Sequence, residues 1–216
     1  MKKYKQTVSV VIPIYNDQEV IAELYRRLHP VMEEITADYE VILVDDGSRD
    51  ASWEEMLKVR QQDEHIKAVR LSRNFGQQSA IAAGLSLTSK ELIVLMDSDL
   101  QDRPEDIPVL IDALLSDERA AMAIAQWEER KDSKLKIAVS RLFQRVSNHI
   151  TEIHTMPRLG IFRVMKQSVV EELRKFPEKT ATTVSLLYYI GSRYVAVPLK
   201  RDARFAGKSG YFSCCH

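Results

Sequence analysis

Two carboxylates one residue apart, Asp97 and Asp99, follow directly on the apolar run Leu92-Ile93-Val94-Leu95-Met96. A chain leaving a buried strand there can bring both carboxylates onto one divalent cation, and hard oxygen ligands suit Mg²⁺ or Mn²⁺. An ion held that way keeps positions open for phosphate oxygens and stabilises the charge that grows on a departing diphosphate. Asp-Ser-Asp is also a common solvated turn, so spacing alone leaves both readings open. Asp45-Asp46-Gly47-Ser48 ends a second apolar run. An acid at such a place can accept hydrogen bonds from a nucleobase or ribose, although Asp-Gly is equally a turn dipeptide. Arg73-Asn74-Phe75-Gly76-Gln77-Gln78 leads from a third run into a helical segment. A helix N-terminus beside an arginine suits anions; a plain helix cap with a surface arginine is the alternative.

These groups need a scaffold, and the hydrophobic pattern supplies one. Over the first 126 residues, short apolar runs at 8–14, 39–44, 66–71, 91–96 and 120–125 read as buried strands. Segments of helical period at 18–35, 52–62, 77–87 and 105–115 lie between them, and Pro104 suits the first turn of the last. This alternation predicts a mainly parallel sheet with helices on both faces. Ligands of such sheets bind beyond the carboxyl ends of the strands. The strand ends are Pro13-Ile14-Tyr15-Asn16, Asp45 to Ser48, Ser72-Arg73-Asn74 and Asp97-Ser98-Asp99, and every one is polar.

After residue 126 the pattern changes. Leu135, Val139, Leu142, Phe143, Val146 and Ile150 form one helical stripe, with basic residues largely off it. From Arg130 to Arg145 there are six basic residues and one acid, Asp132. A loop at 151–160, a strand at 161–165, helices at 167–174 and 182–190 and a strand at 193–198 follow. The segment 200–211 has a basic, glycine-containing loop composition. No repeat, low-complexity tract or linker appears, and one domain is expected.

With 31 basic and 31 acidic residues the net charge is zero, which gives no argument for nucleic acid as a partner. The two cysteines, Cys214 and Cys215, are adjacent, poorly placed to bridge each other, and read as free thiols in a reducing compartment. No stretch approaches the ~20 apolar residues of a membrane helix. The expected location is the cytoplasm or the cytoplasmic surface of a membrane. Oligomeric state, a homo-oligomer included, is left open by the sequence.

Val8 to Asn16, Val44 to Ser48, Ser72-Arg73-Asn74-Phe75-Gly76-Gln77 and Met96-Asp97-Ser98-Asp99-Leu100-Gln101-Asp102-Arg103-Pro104-Glu105 occur in that order. As a set they resemble the inverting family 2 glycosyltransferases of GT-A fold. Within these the chain is similar to the polyprenyl-phosphate branch, which includes dolichol-phosphate mannose synthases and bactoprenol glucosyltransferases. The Arg73–Gly76 string and the extension from Asp97 to Glu105 belong to that branch; the other two motifs are shared widely.

The resemblance implies an α/β, Rossmann-like, mostly parallel central sheet flanked by helices, with a small acceptor-side extension at its C-terminal end. It divides the chain into a nucleotide-sugar half (7–126) and an acceptor-side half (127–216). Pro13, Tyr15 and Asp17 would border the nucleotide, although the family has Glu at the last position. Val44 and Asp46 would contact base and ribose. Asp97, Ser98, Asp99 and Gln101 would surround the diphosphate and its Mg²⁺ or Mn²⁺, with Asp97, Asp99 and Gln101 on the metal. Arg204, Lys208 and Ser209 match the family's loop over the donor diphosphate, with Gly210 in place of its lysine. Phe162-Arg163-Val164-Met165 matches another family string, with Ile161 replacing the acid before it. Family members continue beyond this loop into an amphipathic helix and membrane helices.

A hydroxyl acceptor needs a general base. A phosphate acceptor is already anionic and needs cations instead, bidentate arginine above all. The basic stretch, with Arg130 and Arg141 foremost, is the expected partner of a polyprenyl phosphate at a membrane surface, against the plainer reading of a solvated face. A glycan or other hydroxyl acceptor would call on Asp132, Glu152 or Glu171-Glu172. A nucleotide-sugar-binding protein without turnover, and a nucleotidyltransferase, are further alternatives. The latter would call for a Gly-rich, Lys-containing nucleotide loop near the N-terminus, and the sequence has none there.

Overall fold

The computed structural model describes residues 4–127, 159–175 and 192–205. Their strands are β1 (Val8–Ile14), β2 (Tyr39–Asp45), β3 (Ile66–Arg70), β4 (Leu92–Leu95), β5 (Met122–Trp127), β6 (Leu159–Lys166) and β7 (Tyr194–Leu199). The helices are α1 (Ile21–Ile35), α2 (Ser52–Gln62), α3 (Gln77–Ser86), α4 (Ile107–Ser116) and α5 (Gln167–Arg174), with a 3₁₀ turn, Pro104–Asp106, before α4. The strands form one sheet in the order β3-β2-β1-β4-β6-β5-β7. All neighbours run parallel except β6, which is antiparallel to both β4 and β5. This is the expected α/β, mostly parallel sheet.

Every residue of β1 and β2 is buried. Their mainly apolar character, in place of alternation, follows from helices covering both faces. One face packs Leu24, Leu28 and Met32 of α1, Met56 of α2 and Leu110, Ile111 and Leu114 of α4 around Val10, Ile12 and Leu43. The other packs Ala80, Ile81 and Leu85 of α3 and Val169 and Val170 of α5 around Val11, Ile42 and Ile93. Helix α3 reaches close contact because position 84 is glycine. A Cβ there would strike Val11 and lie 3.1 Å from Cγ2 of Val44.

Most element bounds shift by one or two residues from their expected places, and three shifts are the most informative. Helix α1 starts at Ile21 because the chain before it makes a turn, with the Val20 amide on the Asp17 carbonyl at 2.9 Å. Strand β5 starts at Met122, after a turn that joins the Ala120 amide to the Asp117 carbonyl at 2.9 Å. Strand β6 is longer than expected and reverses direction, which puts its N-terminal end on the same edge as the carboxyl ends of the other six. The stripe at 135–150 and the helix at 182–190 lie outside the described residues. No helix among the described residues is long and apolar enough to cross a membrane.

Candidate functional site

The carboxyl ends of β1 and β2 are stitched together by the side chains of their own motifs. The Asn16 amide donates to Oγ of Ser48 at 3.0 Å, and the Arg49 amide to Oδ1 of Asn16 at 2.9 Å. The Asp17 amide donates to Oγ of Ser52 at 2.9 Å, and the Ala51 amide to Oε1 of Gln18 at 2.8 Å. Asn16 takes the left-handed region, φ 53°, which asparagine tolerates better than bulkier residues. Pro13 is buried in register with Val44, and Tyr15 stands half-buried just beyond. The Val44 side chain points under α3, so a contact with a base would fall to its backbone.

Asp46 is fully buried, and each of its oxygens is used. Oδ1 accepts the Phe75 amide at 2.8 Å and Oδ2 the Gly76 amide at 3.0 Å. Burial raises its carboxyl above the ordinary range even though the two amides pull the other way. Gly47, at φ 68°, lies against this same loop: a Cβ would come within 2.5 Å of the Arg73 carbonyl carbon and 2.6 Å of the Asn74 nitrogen. The Asp46-Gly47 pair therefore seats the loop that opens α3, in addition to any contact with a ligand. Arg73 lies over the Phe75 ring, 4.8 Å from its centroid, at the exposed rim.

The turn after β4 gathers the acids. Leu100, a bulky residue at φ 58°, strains this turn by about 1–2 kcal/mol, and its complete burial opposes the strain. The Gln101 amide closes the turn on Oδ1 of Asp99 at 3.0 Å. Ser98 donates to Oδ2 of Asp17 at 2.5 Å and joins the β1 and β4 ends. Gln77, the first residue of α3, donates its side-chain amide to Oδ1 of Asp97 at 2.7 Å. Burial and then the charge of Asp99 push the Asp97 carboxyl up to about 6. Burial and then Asp97 push Asp102 up to about 7.

The segment after β7 supplies the opposing charge. The Asp202 amide bonds the Gln101 carbonyl at 3.1 Å and the Phe205 amide the Asp99 carbonyl at 3.4 Å. Arg204 pairs with Asp99 at 2.9 Å, and Arg201 sits 3.6 Å from Asp97 and 3.4 Å from Asp102. Asp97, Asp99, Ser98, Asp17, Gln101 and Arg204 are thus brought together at one edge of the sheet. Gln77 and Asp102, which stand in the sequence motifs without a site role of their own, belong with them, as do Trp127 and Arg201, which no motif marks. The strand-end rule, extended to β5 and β7, would have pointed to Trp127 and Arg201. Arg130, Arg141, Lys208 and Ser209 lie outside the described residues.

The chemistry of this donor set fits a hard divalent cation. Asp97 and Asp99 are near enough for the charge of one to raise the other, and each is paired with a guanidinium, so negative oxygens there call for positive charge. Among the described residues, no three His, Cys, Asp or Glu side chains are arranged to hold a metal by themselves.

The model for "Glycosyl transferase family 2" matches residues 9–174. The chain belongs to that family. It is 33% identical over 94% of its length to the uncharacterized glycosyltransferase sll0501 of Synechocystis sp., and 34% identical over 94% to the uncharacterized glycosyltransferase YkcC of Bacillus subtilis. It is also 34% identical, over 94%, to the undecaprenyl-phosphate 4-deoxy-4-formamido-L-arabinose transferase of Salmonella choleraesuis. The matches cover 63%, 62% and 62% of those proteins, so the chain spans about three fifths of the length of these curated relatives. Its fold is that of the solved glucosyl-3-phosphoglycerate synthase of Mycobacterium tuberculosis in complex with Mn²⁺, UDP and glucosyl-3-phosphoglycerate. The TM-score is 0.68 at 18% identity, covering 94% of this chain and 73% of that one. The GT-A architecture expected from the motifs is therefore present.

Proposed function

We propose that this chain is the catalytic part of an inverting glycosyltransferase that moves a sugar from a nucleoside-diphosphate sugar to a polyprenyl phosphate at the cytoplasmic face of a membrane. One observation carries the donor half of the reading. Asp97 and Asp99 lie at the carboxyl edge of a parallel sheet with Arg204 bound to the second of them. In such sheets this edge is the ligand site. The acceptor class draws its support from the 34% identity to an undecaprenyl-phosphate sugar transferase.

In this reading Asp97, Asp99 and Gln101 hold Mg²⁺ or Mn²⁺, which when bound offsets the charge of the leaving diphosphate. Tyr15, Pro13 and the β2 end border the nucleoside. Arg204 would exchange Asp99 for the diphosphate, and Lys208 and Ser209 are assigned to the same group by the family motif. The acceptor phosphate attacks the anomeric carbon directly. Being anionic, it needs no base, only cations, a role we assign to Arg130 and Arg141.

Radiolabelled UDP- and GDP-sugars offered with undecaprenyl phosphate and Mn²⁺ test this. Label should enter the lipid fraction, and Asp99→Ala should remove at least about 99% of the rate, the scale of losing an electrostatic transition-state contact. Label reaching only a glycan or a soluble phosphate such as phosphoglyceric acid would overturn the lipid acceptor. Donor binding without any transfer would favour a binding role, consistent with the departures from the family at Ile161 and Gly210.

A further inference from the structure

Arg201 has a seat that the proposed reaction does not account for. Its guanidinium lies 5.0 Å from the centroid of the Trp127 ring. The indole in turn lies flat over Gly160, where a Cβ would fall 2.5 Å from its Nε1. Trp127 of β5 thus touches both the bare backbone of β6 and the guanidinium from the segment after β7. Arg201 also meets two acids. One is Asp97. The other is Asp102, which has no exposed surface and whose Oδ1 accepts no hydrogen bond, so that Arg201 is its cation at 3.4 Å.

We infer that Arg201 is the fixed countercharge of the donor site: seated on Trp127, it offsets part of the negative charge of Asp97 and Asp102 so that an anionic diphosphate can approach a floor of carboxylates. The inference rests on the donor reading above. Arg201 acts through two carboxylates and is a positioning residue. Without it, Asp97, Asp99 and Asp102 keep only Arg204 among these contacts, and the floor loses one fixed positive charge. A bare divalent cation gains from that change, while a diphosphate loses. The two ligands should therefore respond to its removal with opposite sign. Loss of local structure would weaken both.

The test uses the 216-residue chain, with Mn²⁺ binding followed by electron paramagnetic resonance and UDP and GDP binding, each in saturating Mn²⁺, by calorimetry. Arg201→Ala should bind bare Mn²⁺ about threefold more tightly or better and the preferred diphosphate about tenfold more weakly or worse. Arg201→Lys, which keeps the charge, should stay close to the parent in both. Trp127→Leu should move both affinities in the same directions as Arg201→Ala, by less. Parallel weakening of both ligands in Arg201→Ala, or no change in either, overturns the countercharge role. A parent chain that takes up Mn²⁺ but neither diphosphate overturns the donor reading, and this inference with it.

Discussion

Asp46 and Glu40 show how differently two buried acids can serve one fold. Asp46 gives each oxygen to a loop amide, at Phe75 and Gly76, and so fixes the entry to α3 and the Gln77 amide that follows it onto Asp97. Asp46→Ala should leave two amides without their acceptor and cost about 1–3 kcal/mol of stability. A weaker apparent donor affinity should accompany it, seen as a raised KM. Glu40, at the opposite end of the sheet, accepts Oγ of Ser9 at 2.6 Å, the Ser89 amide at 2.8 Å and the Lys67 ammonium. Burial alone would raise its carboxyl, but these partners together hold it below the ordinary range. A depressed folded value means that its contribution is present above the unfolded glutamate pKa of about 4.3 and is lost as pH falls through the lower folded value. Glu40→Gln should thus cost about 1–2 kcal/mol near neutral pH, a modest figure because Lys67 is half exposed. Thermal melts of the two proteins should converge in acid; a gap that stays constant with pH would contradict the ionic origin.

Helix α3 is held to the sheet by the space that Gly84 leaves for Val11 and Val44. Alanine is the better helix former by about 1 kcal/mol, but overpacking a closed core costs about 1–3 kcal/mol. Gly84→Ala should therefore lower the melting temperature by a few degrees; a rise would show that the sheet yields easily. The elements themselves were largely legible in the sequence. Strand β1 and helices α2 and α5 carry their bounds in hydrophobic period alone. What the period did not carry is the direction of β6, which depends on pairing with β4 on one side and β5 on the other, strands distant in sequence. The start of α1 was misplaced for a related reason: Asp17 and Gln18 bond to the β2–α2 loop instead of beginning a helix.

Across the whole molecule, the site divides the same way. Asp97, Asp99, Asp46 and Tyr15 stand at strand ends that the sequence marks clearly. Arg201 and Trp127 become visible only once β5 and β7 are known to run parallel to β4 and to end on the same edge. Asp102 stands in the sequence only as one letter of the motif from Asp97 to Glu105, and its complete burial beside Arg201 depends on the segment after β7. The central claim is that this edge binds a nucleoside diphosphate through a cation held by Asp97 and Asp99. Thermal denaturation of the parent and of Asp99→Asn, with a panel of nucleoside diphosphates and with or without Mn²⁺, tests it most directly. Saturating ligand should add about 2.7 kcal/mol at a hundred times its Kd, roughly 5–10 °C for a chain of this size. That rise is expected for one diphosphate, only with Mn²⁺ and only in the parent; an equal rise without the metal, or in Asp99→Asn, would contradict binding through a cation on Asp97 and Asp99.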